Sequence, residues 1–142
     1  MILYAESSAV LAWLLSQERE STIERALSSA QLIISSDLTV LECERVLVRG
    51  NAAGGLTEAE LTRRQVMFRT AAQHWMLLAF DLPVIERARR PFPSEPIRTL
   101  DALHLAFALE ARSMIAEVRL LSLDGRIRDA ARQLGVEVLP DP

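Results

Sequence analysis

Four acidic residues lie at points of the chain where a parallel sheet would bring them together. Glu6 follows one apolar run, Asp124 follows another, Glu42 lies little more than a turn into a predicted helix, and Asp101 lies in the first turn of a further one. In α/β folds the carboxyl ends of the strands and the N-termini of the helices meet at one edge of the sheet. We therefore expect these carboxylates to converge there.

A cluster of carboxylates carries an electrostatic cost that a cation relieves. Two unit charges 4 Å apart repel each other by roughly 4 kcal/mol at an effective dielectric constant of about 20. Because all the donors are oxygens, the favoured ions are Mg²⁺ and Mn²⁺. The four acids therefore predict a divalent metal site.

Each acid also has a structural interpretation. The helix dipole favours Asp101 in a first turn, and Asp124-Gly125 is a common turn pair. Glu42 could pair with Arg45 on its own helix, and Glu6 could simply end a strand. For any single acid the structural interpretation is the favoured one, but the shared edge of all four favours a site.

The elements that would position the acids follow from the hydrophobic pattern. Short apolar runs predict five strands, at 2–5, 32–34, 76–79, 118–122 and 136–139. Helical spacing predicts the helices between them, at about 8–15, 17–30, 38–51, 57–72, 82–90, 99–109 and 127–134. Ser7 or Ser8 is the predicted N-cap of the first helix and Thr99 that of the helix carrying Asp101. This alternation predicts an α/β fold with a mostly parallel five-stranded sheet covered on both faces.

Composition limits the class of protein. The 142 residues are half hydrophobic and show no repeat or linker, which predicts one domain over residues 1–142. The only cysteine, Cys43, can form no internal disulfide, and no apolar run has membrane-spanning length. We therefore expect a cytoplasmic protein with no membrane association. The absence of lysine excludes a Schiff base, a P-loop lysine and the lysine of phospho-acceptor domains.

Several motifs of the chain resemble those of PIN-domain ribonucleases, and more narrowly the VapC-like toxins of bacterial type II toxin–antitoxin pairs. The most specific is Arg98-Thr99-Leu100-Asp101-Ala102-Leu103-His104-Leu105-Ala106. The others are Ile2-Leu3-Tyr4 with Glu6-Ser7-Ser8-Ala9, Leu38-Thr39 with Glu42, Leu121-Ser122-Leu123-Asp124, and Ala130 to Val136. The resemblance implies a three-layer α/β/α sandwich with the strand order 3-2-1-4-5. It also places Glu6 and Asp124 side by side at the topological switch point.

The resemblance further implies an endoribonuclease that requires Mg²⁺ or Mn²⁺ and leaves a 5′-phosphate and a 3′-hydroxyl. Glu6, Asp101 and Asp124 would hold the metal directly or through water, and Glu42 would complete the catalytic site or orient the attacking water. Ser8 and Ser122 would support the metal ligands through hydrogen bonds.

Binding partners are implied as well. Because RNA must approach an acidic site on a chain of net charge −3, arginines at the rim should guide its backbone, with Arg89, Arg90 and Arg98 as first candidates. The resemblance also implies a homodimer and a cognate VapB-like antitoxin. His104 lies one turn after Asp101, and the favoured interpretation is a partly buried histidine that packs and hydrogen-bonds.

One departure from the family pattern leaves an alternative open. The acid at the place of Glu6 is usually aspartate, and the added methylene of glutamate displaces the carboxylate. Errors of about 1 Å can cost on the order of 100-fold in rate. The alternative is therefore a catalytically weak or inactive PIN-like domain that binds RNA or a partner. A phospho-acceptor switch is a third possibility, disfavoured by the absence of lysine.

Overall fold

A parallel sheet forms the centre of the molecule. The computed structural model describes residues 1–16 and 21–141. Its strands are β1 (Ile2–Ala5), β2 (Leu32–Ser36), β3 (Met76–Leu78), β4 (Val118–Leu121) and β5 (Val138–Leu139). All paired strands run parallel, in the order β3-β2-β1-β4-β5. The predicted fold class and strand order are confirmed.

Helices cover both faces of this sheet. They are α1 (Ser7–Leu15), α2 (Thr22–Ser29), α3 (Asp37–Ala52), α4 (Glu58–Ala72), α5 (Leu82–Ala88), α6 (Thr99–Met114) and α7 (Gly125–Gln133). Alternate side chains of β1 enter opposite layers, as the pleat of a strand requires. Tyr4 packs in a core with residues of α5, α6 and α7, whereas Leu3 and Ala5 pack in cores with residues of α1 to α4. The result is the predicted three-layer sandwich.

The centre of the sheet brings β1 and β4 together where the strand order reverses. Ala5 is in register with Leu121, and the Glu6 amide donates to the Leu121 carbonyl at 3.0 Å. The residues that follow the two strands therefore start side by side. This register is what places Glu6 next to Ser122 and Asp124.

Two predicted N-caps are wrong. Glu6, not Ser7 or Ser8, caps α1, and its carboxylate accepts a hydrogen bond from the Ser8 amide. The serine hydroxyls are instead turned toward neighbouring acids. For α6, the residue at the N-cap position is Arg98, which makes no side-chain capping hydrogen bond, and Thr99 is already helical.

Other boundaries differ by a few residues for local reasons. β2 continues to Ser36, which caps α3 through the Thr39 amide. α7 begins two residues earlier than predicted because Asp124 caps it, and Gly135 then ends it with a φ of 75°. β5 starts at Val138 rather than at residue 136. The predicted helix at 17–30 is observed as Thr22–Ser29, and residues 17–20 lie outside the described residues.

Local contacts also fix the start of α4. Thr57 and Glu60 form a capping box there, because each side chain bonds to the backbone amide of the other. Cys43 is fully buried, and burial raises the pKa of its thiol. Among the described residues no helix combines the length and the hydrophobicity needed to span a membrane.

Candidate active site

The four acids divide into two groups at the predicted edge of the sheet. Glu6 follows β1 and Glu42 lies in the second turn of α3, and a shared set of hydrogen bonds joins these two. Asp101 lies in the first turn of α6, and Asp124 caps α7. Asp101 and Asp124 line one cavity together. We call the first group, with Ser7, Ser8, Ser122 and His104, the inner cluster, and the second the outer pair.

Hydrogen bonds from the protein occupy the Glu6 carboxylate. Its Oε1 accepts from the Ser7 hydroxyl at 2.8 Å and from the Ser8 amide at 3.1 Å. Its Oε2 accepts from the Ser8 hydroxyl and, at 2.7 Å, from the Ser122 hydroxyl. A carboxylate offers about four lone-pair positions. The side chain, 2 % exposed, is therefore an acid satisfied within the protein.

Glu42 is held by two residues from other elements. Its Oε1 bonds to His104 Nε2 and lies 3.1 Å from the Ser7 hydroxyl. The hydrogen bond from His104 is the main cause of a lowered Glu42 pKa, and desolvation opposes it. The helix-surface interpretation, with Arg45 as partner, is not what the structure shows. Glu42 instead belongs to the inner cluster.

His104 links the two glutamates. Its Nε2 lies 3.8 Å from Glu6 Oε1 and 3.2 Å from the Ser7 hydroxyl, in addition to its bond with Glu42. The ring is 3 % exposed, and its buried Nδ1 has no hydrogen-bond partner among the described residues. The prediction of a packed, hydrogen-bonded histidine is confirmed, with deeper burial than expected.

The predicted supporting serines lie against Glu6. Beyond its bond to that carboxylate, the Ser8 hydroxyl accepts from the amides of Leu123 at 2.9 Å and Asp124 at 3.2 Å. The Ser122 hydroxyl also accepts from the Asp124 amide, at 3.2 Å. The two serines therefore connect the inner cluster to the backbone that carries Asp124.

The outer pair has fewer partners. Asp101 makes no hydrogen bond or ion pair with the described residues, and its pKa is raised first by desolvation and then by the negative charge of Asp124. Glu6 raises it further, whereas His104 and Arg126 lower it. Asp124 uses Oδ1 to accept from the amides of Arg126 and Ile127. The second Asp124 oxygen and both Asp101 oxygens are left for a ligand.

The oxygens that the outer pair leaves without protein partners suit a divalent ion held partly by water and substrate. Within residues 1–16 and 21–141, no three acid, histidine or cysteine side chains are gathered closely enough to ligate one ion. Two carboxylates with waters and substrate phosphates are, however, an ordinary ligand set for Mg²⁺. The unpaired oxygens of Asp101 and Asp124 fit that role, and the charge repulsion that raises the Asp101 pKa is what a cation would relieve. Direct ligation by Glu6 stays a prediction and would require some of its four hydrogen bonds to break.

Arginines surround the outer pair. Arg98 and Arg126 line the cavity of about 630 Å³ that contains Asp101 and Asp124, and both side chains are exposed. Neither guanidinium has an acidic partner within 4 Å among the described residues. Arg89 and Arg90 line a second cavity, of about 530 Å³, which shares Thr99 with the first. The three predicted arginines thus lie along connected depressions.

Ser7 and Arg126 are the two site residues that the sequence reasoning did not assign. Ser7 was read as a helix cap, and nothing in its local sequence indicates contact with a residue 97 positions away. Arg126 had a weak signal, because it follows an acid and a glycine at the start of a predicted helix. A cation there lies within reach of the acid that caps the same helix.

The fold and the acidic edge define a class of nuclease-like domain, and the family comparison agrees. The PIN domain family model matches residues 3–133. The chain therefore belongs to the PIN domain family.

Three known proteins give the comparison more detail. The chain is 34% identical to Ribonuclease VapC46 of Mycobacterium tuberculosis over an alignment of 137 residues. This alignment covers 96% of this chain and 95% of the relative. It resembles FitAcB from Neisseria gonorrhoeae with a TM-score of 0.72 at 17% identity, covering 99% of this chain and 97% of that one. It also resembles a toxin–antitoxin complex from Klebsiella pneumoniae with a TM-score of 0.63 at 15% identity, with coverages of 99% and 97%. At these identities the two structural similarities concern the fold alone.

Proposed function

We propose that this chain is an endoribonuclease that requires Mg²⁺ or Mn²⁺ and acts as the toxin of a VapBC-type pair. The observation that carries the proposal is the convergence of four acids on one edge of a PIN-domain sheet. At a cavity there, Asp101 has no partner among the described residues and Asp124 uses only one oxygen to cap a helix. Relatedness to Ribonuclease VapC46 supports RNA as the substrate.

Each acid has a separate task in this proposal. Asp101 and Asp124 hold the ion, and Glu6 contributes negative charge from behind them while fixing Ser8 and Ser122. Glu42 orients the attacking water from its place beside His104. A bound divalent ion lowers the pKa of water and neutralises the charge that develops on the phosphate oxygens. The expected products carry a 5′-phosphate and a 3′-hydroxyl.

Arginines bind the RNA backbone. Arg98 adjoins Asp101 and lines the same cavity, while Arg89 and Arg90 line the neighbouring one. Guanidinium groups bind phosphate oxygens through charge-assisted hydrogen bonds. Because the net charge is −3, these local cations supply the attraction that the chain as a whole lacks.

The partners and setting follow the family. We propose a homodimer, a cognate VapB-like antitoxin that covers the acidic site, and a cytoplasmic protein consisting of one domain, residues 1–142. The resemblance of the fold to that of a toxin–antitoxin complex supports the antitoxin. A size measurement of the purified chain, alone and with the product of a neighbouring small open reading frame, tests both assemblies.

The second candidate function is RNA or partner binding without cleavage. The observation that favours it is the Glu6 carboxylate, whose four hydrogen bonds compete with metal ligation. In that case the outer pair binds an ion that serves attachment of RNA rather than hydrolysis.

Incubation of the purified chain with structured RNA and Mn²⁺ separates the two functions. The nuclease cleaves RNA, loses cleavage when EDTA is added, and loses it in Asp101→Asn. The binding domain shifts RNA in a gel without cutting it. Intact RNA at enzyme concentrations that saturate binding would contradict the nuclease.

A further inference from the structure

A third cavity, of about 640 Å³, opens beside the outer pair between α6 and α7. Asp101 and Leu105 line it from α6, and Arg126, Asp129 and Gln133 line it from α7, with Ile97 from the preceding loop. We call it the α6–α7 pocket. Its volume lies within the roughly 300–1,000 Å³ of small-molecule sites.

The lining residues of α7 lie on one face of the helix. Arg126, Asp129 and Gln133 are three and four residues apart, which is the spacing of side chains stacked along a helix. The face therefore runs from the acidic edge, where Arg126 lies, to Gln133 at the end of α7. It presents a cation, a carboxylate and an amide in that order.

The loop before α6 supplies apolar surface. Ile97 is half-buried, whereas Leu105, one turn after Asp101, is 1 % exposed, so the accessible apolar surface here is that of Ile97. A flat apolar group can rest on Ile97 while its polar edge reaches α7. The Gln133 amide both donates and accepts hydrogen bonds, and Asp129 accepts them. Asp129 is already paired with Arg132 at 3.3 Å. Gln133 is therefore the side chain available to hydrogen-bond the polar edge of a flat ligand.

We propose that the α6–α7 pocket binds one nucleotide of the RNA, next to the phosphodiester that is cut. This inference rests on the proposed function. Arg98 and Arg126 at the mouth bind the phosphate, Ile97 contacts the flat face of the base, and Gln133 hydrogen-bonds the edge of the base. The pocket shares Arg98, Asp101 and Arg126 with the cavity of the outer pair. A nucleotide in the pocket would therefore lie next to a phosphodiester bound at the outer pair.

The charges exclude simpler occupants. Two guanidiniums that have no acidic partner among the described residues lie beside a carboxylate and favour a ligand that carries an anion. The apolar wall favours a ligand with a flat uncharged part. A nucleotide has both, whereas inorganic phosphate has only the first. Proteins select among the exposed bases of RNA through hydrogen bonds to the edges of the bases, and an amide can both donate and accept such bonds.

The test uses the four nucleoside 5′-monophosphates, with inorganic phosphate as the control ligand, titrated into the full chain and followed by the amide resonances of α7. Nucleotides are expected to shift the resonances from Arg126 to Gln133, whereas phosphate shifts only those near Arg126. Gln133→Leu should weaken nucleotide binding about 2- to 10-fold and leave phosphate binding unchanged. Arg126→Gln should weaken both, and Arg49→Gln, on α3, should weaken neither.

Cleavage of an RNA pool with randomised sequence is the second measurement. Gln133→Leu is expected to reduce the base preference at one position next to the cut, whereas Arg49→Gln should leave that preference unchanged. If nucleotides and phosphate shift the same resonances, or if Gln133→Leu leaves both nucleotide binding and base preference intact, the inference is wrong. Nucleotide binding is measured without cleavage, so the two proposals can fail separately. If nucleotides bind as expected but RNA stays uncut, the proposed nuclease function is wrong and the assignment of a nucleotide to the pocket still holds.

Discussion

The inner cluster and the outer pair each contain two acids, but the protein treats them differently. Glu6 and Glu42 are satisfied by three serines and a buried histidine drawn from distant parts of the chain. Asp101 has no partner among the described residues, and Asp124 uses one oxygen to cap a helix. We therefore expect the inner acids to contribute to the stability of the fold and the outer acids, as proposed above, to hold the metal at some cost in stability.

The largest expected effect is the loss of RNA cleavage when Asp124 is replaced, with little change in stability. Asp124→Asn should reduce RNA cleavage by about 100- to 1,000-fold, because it removes charge that holds the metal at the reacting phosphate. The free energy of unfolding should change by less than about 1 kcal/mol, because asparagine caps helices as well as aspartate. Cleavage assays and chemical denaturation measure the two quantities.

The matched control is Glu117→Gln, an exposed acid at the opposite end of β4, which should change neither quantity. Substantial destabilisation by Asp124→Asn would show that the outer pair also contributes to stability and would break the comparison.

The reverse result is expected for His104. His104→Ala removes the hydrogen-bond partner of Glu42 and empties the space of a ring that is 3 % exposed. An unsatisfied buried polar group costs about 1–3 kcal/mol and the cavity adds to this cost, so denaturant unfolding should show a fall in the free energy of unfolding of about 3 kcal/mol. His74→Ala, at an exposed histidine, is the control. A change below about 1 kcal/mol in His104→Ala would mean that the inner cluster is not a stabilising unit.

A smaller loss of stability is expected behind the inner cluster. The Arg128 guanidinium donates to the carbonyls of Ser122 at 2.6 Å, Leu139 at 3.0 Å and Pro140 at 2.7 Å, so it fixes the end of β4 that carries Ser122. Arg128→Ala should reduce the free energy of unfolding by about 1–3 kcal/mol. Arg132→Ala, which removes only an exposed pair with Asp129, should cost less than about 1 kcal/mol. If Arg128→Ala and Arg132→Ala reduce the free energy of unfolding equally, Arg128 does not fix the end of β4.

The smallest effect concerns pH. The pKa of Glu42 is lowered in the folded chain, so its contribution to stability is present above its ordinary pKa of roughly 4.3 and is lost as the pH falls through the folded value. Asp101 has a raised pKa and the opposite sign, so protonating it favours the fold. Between about pH 5 and pH 3, Glu42→Gln should lose less stability than the unmodified chain. If the free energy of unfolding falls equally with pH in Glu42→Gln and in the unmodified chain, this prediction is wrong.

The convergence of the acids at one edge could be predicted because it depends on rules that hold for every parallel sheet. Apolar runs located β1 and β4, and the acids that follow such runs must lie at the edge where helices begin. The strand order came from the resemblance, and the observed order agrees with it.

The division into inner and outer acids could not be predicted. It depends on His104 meeting Glu42, a residue 62 positions away, and on Ser7 facing that contact instead of capping a helix. Helical spacing predicts that His104 lies near Asp101 on one helix, but it does not predict which residues of other elements contact His104. The wrong N-cap of α1 has the same cause, because the Ser7 and Ser8 hydroxyls contact acids of the inner cluster instead of capping the helix.

The most direct test of this division is a calorimetric titration of Mn²⁺ into the chain without RNA. We expect the unmodified chain to bind the ion, the double variant Asp101→Asn with Asp124→Asn to lose binding, and Glu42→Gln to bind within a few-fold of the unmodified chain. Undiminished Mn²⁺ affinity in the double variant would contradict the assignment of the metal to the outer pair.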